Sequence, residues 1–361
     1  MERSRLCTVR WALLGICLLV ALGGGLAEAV ERGRAVRPLK RYQQTESHMG
    51  TYFTIILYAP SEEAARSAFR AAFARVAELD RILSDYNPDS ELNRLCAQAG
   101  RGPVVVSEHL YRVLEESVRV ARISGGAFDV TVRPVVRLWR RARRQKRFPD
   151  PNRLRAARKL VGYDKIVLYP EKRAVQLRQP GMQIDLGGIG KGYALDQAIE
   201  VLKNRGIESA LVDGGGDIAV SAPPPGRAGW IIAVPMPAST EPTYLVLAHT
   251  AVATSGDAER FVVLNGVRYS HIVDPRTGIA VKGPRQVSVV HSRAMTADAL
   301  ATALSVFGPQ DALAFARKHD LAAQVVAEQD GRYAVLRSPA FDRLLCRSRR
   351  VLQRLQRSTE R

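Results

Sequence analysis

The run IDLGGIGKGYALD, Ile184–Asp196, places four glycines and one lysine between two short apolar stretches, VQL (Val175–Leu177) and MQI (Met182–Ile184), and a helix-like stretch, YALDQAIEVLKNRG. Bare backbone ahead of a helix exposes N–H groups to an anion, and the helix dipole favours negative charge there. Lys191 adds a mobile positive charge. Two glycine signatures with that use can be tested. A P-loop, G-x-x-x-x-G-K-[ST], fails because Gly192 follows Lys191 and Asp185 stands at the first glycine position. A dinucleotide fingerprint, G-x-G-x-x-G, fails because Gly188, Gly190 and Gly192 fall on alternate positions. The loop reads either as a plain turn or as an anion site of another kind, and the fold has to be read from its surroundings.

Upstream, TYFTIILYA (Thr51–Ala59) is a β-branched and aromatic strand. Ser61 with Glu62 and Glu63 marks a helix start, and Phe69, Phe73, Val76, Leu79 and Leu83 recur at helical spacing as a core stripe. A second helix runs from Ser107 to the stop at Gly125-Gly126, an arginine-rich helix follows, and YDKIVLY, VQL and MQI read as short strands. Downstream, SALVDGGGDIAV, WIIAVP, TYLVLAHTAVATS and FVVLNGVRYSHIV are strand-rich, with Asn265-Gly266 a strong hairpin turn. VSVVHS, a helix through ADALATALSVFG, a helix DALAFARKH and a strand pair in AAQVVAEQDGRYAVLRS complete the series. Helices and hairpins mix rather than alternate, which predicts an α+β fold with largely antiparallel sheet in a single catalytic domain.

The first 29 of the 361 residues read as a secretory signal peptide: Arg3, Arg5 and Arg10, the apolar WALLGICLLVALGGGL, then Ala27-Glu28-Ala29. Ile16 before Cys17 does not suit lipidation. Export is therefore expected, to the periplasm or the periplasmic face of the inner membrane. Residues 30–44 read as a charged linker and 339–361 as a basic tail. Cys96 and Cys346 remain in the mature chain; they could pair in an oxidising compartment or stay free, and neither lies in a metal-ligand pattern. The net charge of +19 is concentrated in LWRRARRQKRF (Leu138–Phe148) and CRSRRVLQRLQRSTER (Cys346–Arg361). Such runs are solvated surface or draw anionic partners, an acidic protein surface or a membrane face. No recognition-helix or zinc-finger pattern accompanies them, so nucleic acid is not expected.

Asp298 and Thr302 stand at i and i+4 in MTADALATAL, on one helical face. Carboxylate, hydroxyl and backbone carbonyl are hard oxygen ligands that suit Mg²⁺; the same pair can also be a helix-start aspartate and a buried threonine. His271, beyond the hairpin, suits a general base or a hydrogen bond to the following turn.

MGTYF (Met49–Phe53), SDYNPDSELNRL (Ser84–Leu95), GGAFDVTVRPVVRLW (Gly125–Trp139) and IDLGGIGKGYALD follow in order, then VDGGGDI (Val212–Ile218), TSGDAERF (Thr254–Phe261), YSHIVDPRTG (Tyr269–Gly278) and TADALATALSVFG (Thr296–Gly308). This series, over residues 45–338, resembles the ApbE family, the FAD:protein FMN transferases. The resemblance implies an ApbE-like domain of mixed, largely antiparallel sheets flanked by helices. It implies FAD as substrate, Mg²⁺ as cofactor, and transfer of FMN to a threonine or serine hydroxyl of an acceptor redox protein with release of AMP. That acceptor would be a flavoprotein subunit of a membrane-associated electron-transfer complex. By the same resemblance the Gly188 carbonyl, Asp298 and Thr302 bind the metal. Met49, Tyr86, Ala127, Phe128, Asp129, Asp185, Lys191 and Ile272 contact FAD. His271 is the base, and Asp257 helps organise the site with Ser255 and Arg260. The chain departs from the family pattern at Asp213, where asparagine is common, and at Ala258, where an aromatic residue is common. The same residues would also serve an FAD pyrophosphatase that uses water as acceptor, or a flavin carrier without turnover.

Overall fold

Strands β1 (Lys40–His48) and β2 (Thr51–Ala59) pair along their whole length around a two-residue turn, Met49-Gly50, with φ of 50° and 72°. Positive φ at both positions matches the right-handed twist of the flanking strands. The computed structural model describes residues 38–236, 243–256, 260–329 and 332–359. The signal-peptide reading and the first part of the linker reading lie outside them. The rest of that linker corrects to strand from Lys40: β1 is an edge strand whose charged residues face water, so its composition resembles that of a linker.

Helix α1 (Glu62–Leu83) follows, capped by Ser61 Oγ, which accepts the Ala64 N–H at 3.2 Å. Next come α2 (Glu91–Ala97), β3 (Val104–Val105), α3 (Glu108–Ile123), α4 (Arg133–Gln145), α5 (Pro151–Lys159), β4 (Ile166–Tyr169) and β5 (Ala174–Leu177). β3, β5 and β4 form a small sheet, while Met182–Ile184, expected as a strand, is irregular. Its Met182 and Ile184 side chains are still core, so their apolar character reflects burial of an irregular segment rather than a strand. The glycine loop then leads into α6 (Gly190–Asn204), β6 (Ala210–Gly214), β7 (Asp217–Val220), β8 (Trp230–Val234), β9 (Thr243–Leu247) and β10 (Thr250–Gly256). β11 (Phe261–Leu264), β12 (Val267–Val273), β13 (Ala280–Lys282), β14 (Arg285–His291), α7 (Ala294–Val306) and α8 (Pro309–Lys318) follow, then β15 (Ala322–Gln329), β16 (Arg332–Arg337) and α9 (Pro339–Thr359).

The large sheet has the order β1-β2-β6-β7-β10-β14-β15-β16, and every neighbouring pair is antiparallel. Its two faces are sorted by the period-two alternation of the strands. Phe53, Ile55, Leu57, Val212, Val287 and Val325 join the helical core, whereas Leu211, Val252 and Val290 join a second cluster with Trp230, Leu245, Phe341 and Leu345. α7 is buried nearly all round, as expected of an alanine- and leucine-rich helix at the centre of a layer.

Two charged segments are more structured than their composition suggests. α4 buries Val135, Trp139 and Ala142 against the β11–β12–β13 sheet, and the Trp139 indole N–H donates to the Gly278 carbonyl at 2.9 Å. Residues 339–359, read as a tail, are helix α9, seated on the second cluster through Phe341 and Leu345. Both are rich in arginine, but their apolar residues share one face. Cys96 and Cys346 are free thiols.

Candidate active site

Lys191 lies in the first turn of α6, where its ammonium pairs with Asp217 of β7 and stands 3.9 Å from Asp298 of α7. Asp217 is 2% exposed, and its other oxygen accepts the Thr254 N–H at 3.0 Å. The second carboxylate, Asp298, is also buried and accepts the Gly192 N–H at 3.1 Å. Two carboxylates thus face one ammonium. Burial raises the Asp298 carboxyl above the usual carboxylate range; Lys191 opposes this and Asp217 adds to it. For Lys191, burial works against the charge, yet Asp217 and Asp298 outweigh it and hold the pKa above the ordinary lysine value.

The glycines allow this closeness. A Cβ on Gly188 would come within 2.7 Å of Thr302 Oγ1, and one on Gly192 within 2.3 Å of the Ala294 carbonyl oxygen. The loop and the Asp298/Thr302 face of α7 are therefore in direct contact, and Gly188, Lys191, Asp298 and Thr302 come together. Asp196 secures the arrangement one turn further along α6. Its two oxygens accept the Ala294 and Met295 N–H groups at 2.7 and 2.9 Å, so α6 supplies the cap that α7 lacks in its own sequence.

Asp185 opens the loop. Its N–H donates to the Val130 carbonyl at 2.7 Å, Oδ1 accepts the Gly187 N–H at 2.8 Å, and Oδ2 accepts Arg140 at 2.8 Å. Arg140 also donates to Asp85 at 2.9 Å, and its guanidinium lies 5.0 Å from the centroid of the Tyr86 ring, which is 78% exposed. One arginine thus joins the glycine loop to the Asp85–Tyr86 loop and backs an aromatic face that is open to solvent.

Other expected residues are placed differently. Ala127 and Phe128 are buried, Phe128 within the main core, and the side chain of Asp129 is spent inside the fold. Its oxygens accept Thr131 N at 2.8 Å, Thr131 Oγ1 at 2.6 Å and Tyr163 N at 2.8 Å, which fixes the segment that meets Asp185. Met49 sits at the β1–β2 turn, its N–H donating to Asp80 at 2.9 Å; the hairpin end abuts the β6–β7 turn, where Gly215 N donates to Tyr52 O at 3.2 Å. His271 and Ile272 lie on β12, which packs against both α4 and α7; the His271 N–H donates to the Arg260 carbonyl at 2.8 Å. Asp257 lies outside the described residues.

Sequence reading passed over Asp217 and Arg140. A carboxylate opening the interior strand DIAV needs a buried partner, and that was the available signal for Asp217. Arg140 was hidden in a run of arginines.

Comparison with known proteins identifies the family. Residues 49–326 match the model of the ApbE family. A curated FAD:protein FMN transferase of Treponema pallidum is 34% identical over 324 residues, 84% of this chain and 86% of that protein. One of Haemophilus influenzae is 33% identical over 272 residues, 73% of this chain and 79% of that protein. Among solved structures, the apo form of the Pseudomonas stutzeri flavinyl transferase ApbE superposes with a TM-score of 0.78 at 28% identity, covering 85% of this chain and 98% of that one. The Thermotoga maritima ApbE protein superposes with a TM-score of 0.75 at 30% identity, covering 84% and 99%. With the antiparallel α+β architecture and the family model spanning most of its length, the chain belongs to the ApbE family.

Proposed function

We propose that the protein is an Mg²⁺-dependent FAD:protein FMN transferase. The hydroxyl oxygen of a threonine or serine on an acceptor redox protein attacks the FMN-side phosphorus of FAD. A phosphoester P–O bond forms, the pyrophosphate P–O bond breaks, and AMP leaves. The observation that carries this reading is half-buried Lys191 paired with the buried carboxylates of Asp217 and Asp298 against a glycine loop at a helix N-terminus, a place where backbone can approach a pyrophosphate.

The residues present fit a hard divalent cation. The Gly188 carbonyl, Asp298 and Thr302 Oγ1 offer oxygen donors, position 188 has no room for a Cβ, and the two carboxylates exceed the single ammonium. Bound there, Mg²⁺ would offset the negative charge of the pyrophosphate. Lys191 contributes a fixed positive charge beside it. Tyr86 offers its open face to the flavin ring, and Arg140 holds that face against the glycine loop. His271 takes the proton of the acceptor hydroxyl. The acceptor is a flavoprotein subunit of a membrane-associated electron-transfer complex, met on the periplasmic side to which the leader-like segment directs the chain.

Incubation with FAD, Mg²⁺ and such an acceptor, read by intact mass, tests the proposal. An acceptor heavier by one FMN supports transfer. Free FMN and AMP with unmodified acceptor indicate a pyrophosphatase, and retained FAD indicates a carrier. Asp298→Ala is expected to abolish transfer in a folded protein; full activity in that variant rules out the metal site.

A further inference from the structure

The layer opposite the active site has a charge pattern that flavin transfer does not use. α9 docks beside the β8–β9 hairpin, with Val246 N donating to Ser348 Oγ at 2.9 Å and Phe341 and Leu345 in the second cluster. Away from the docked side, Arg343, Arg347, Arg350, Arg354 and Arg357 recur at alternating steps of four and three residues, and all are exposed. At about 100° per residue that spacing gathers them into one stripe, about 21 Å long at 1.5 Å per residue. Arg343 also reaches Asp320 at 2.8 Å. The hairpin covers the same face of the large sheet, and its outer side exposes Ile231 at 50% and Tyr244 at 44%. Among the described residues no helix is long and apolar enough to cross a membrane, so contact of this surface with a bilayer would be peripheral.

We propose that the α9 arginine stripe docks the protein on an anionic phospholipid surface, with Ile231 and Tyr244 entering the headgroup region. Guanidinium groups pair bidentately with phosphates, and a straight row of them matches a flat array of headgroups. Exposed aliphatic and aromatic side chains beside basic ones suit the interface of a bilayer. The opposite position also favours lipid over the acceptor, which must bring its hydroxyl to the α6–α7 face. This last argument rests on the transferase reading; the stripe itself does not.

The test is co-sedimentation of the full chain with phosphatidylcholine vesicles, with and without phosphatidylglycerol, for the wild type and for Arg347→Gln, Arg350→Gln and Arg354→Gln combined. The wild type is expected to prefer anionic vesicles, and to lose that preference as salt is added. In the triple variant affinity for anionic vesicles falls about a hundredfold, at roughly fivefold per arginine, while thermal unfolding and FAD turnover in solution do not change. Equal binding to both vesicle types by the wild type, or a preference retained by the variant, overturns the proposal. So does a variant that loses transfer to the acceptor without vesicles while still turning over FAD, since the stripe would then be an acceptor site. A wild type inert toward FAD that still prefers anionic vesicles would sink the transferase reading and leave this one standing.

Discussion

Asp217 shows how one buried carboxylate can set the charge state of a site. It pairs with Lys191, adds its repulsion to the burial that raises the Asp298 carboxyl, and is held by the Thr254 N–H at 3.0 Å. Asp217→Asn keeps an oxygen for that N–H but removes the charge that anchors Lys191. Turnover of FAD is expected to fall about a hundredfold with an unchanged circular dichroism spectrum; kcat and KM measured separately would show whether Lys191 acts mainly in the transition state. A variant with wild-type kcat/KM would make Asp217 a structural residue only.

At the scale of elements, the site depends on how closely α6 and α7 approach. Gly192 lies in the first turn of α6, where the chain could accept alanine locally, yet a Cβ there would overlap the Ala294 carbonyl. Gly192→Ala should therefore destabilise the protein by about 1–3 kcal/mol, against the usual benefit of alanine in a helix, and thermal unfolding would reveal the sign. Asp196 sits in the same contact. Burial pushes its carboxyl up to about 6 despite the two N–H bonds that favour the ionised form. A folded-state pKa above the unfolded value of 3.8 means that the native state binds the extra proton between those values, so this group's contribution to stability falls as pH rises from about 4 to about 6. Asp196→Asn loses one acceptor for the α7 N-terminus, at a cost of about 1–3 kcal/mol. The stability gap between wild type and variant, followed by denaturant melts, should narrow over that pH window and stay flat above it.

For the whole molecule, the large sheet separates two functions of the core: a helical layer that builds the site and a hairpin-plus-α9 layer behind it. Phe341 is fully buried in the rear layer. Phe341→Ala is expected to lower stability by about 3–5 kcal/mol and to leave FAD turnover of the folded protein unchanged; a matching loss of kcat would mean that the layers are coupled. The division also explains what could be read from residues alone. Sequence by itself determined the features that depend on neighbours in the chain. These are the Asn265-Gly266 turn, with φ positive at both residues, the capped and striped α1, the glycine loop, and the Asp298–Thr302 pair on one helix face. Turn chemistry and helical period act over a few residues, so they are legible there. Only the tertiary structure decided that Lys191 meets Asp217, that Arg140 ties Asp85 to Asp185, that Gly192 belongs inside a helix, and that residues 339–359 dock rather than trail. Each of these depends on which faces meet across the sheet: the helical period of α9 marks an apolar face, but no local pattern says what that face meets.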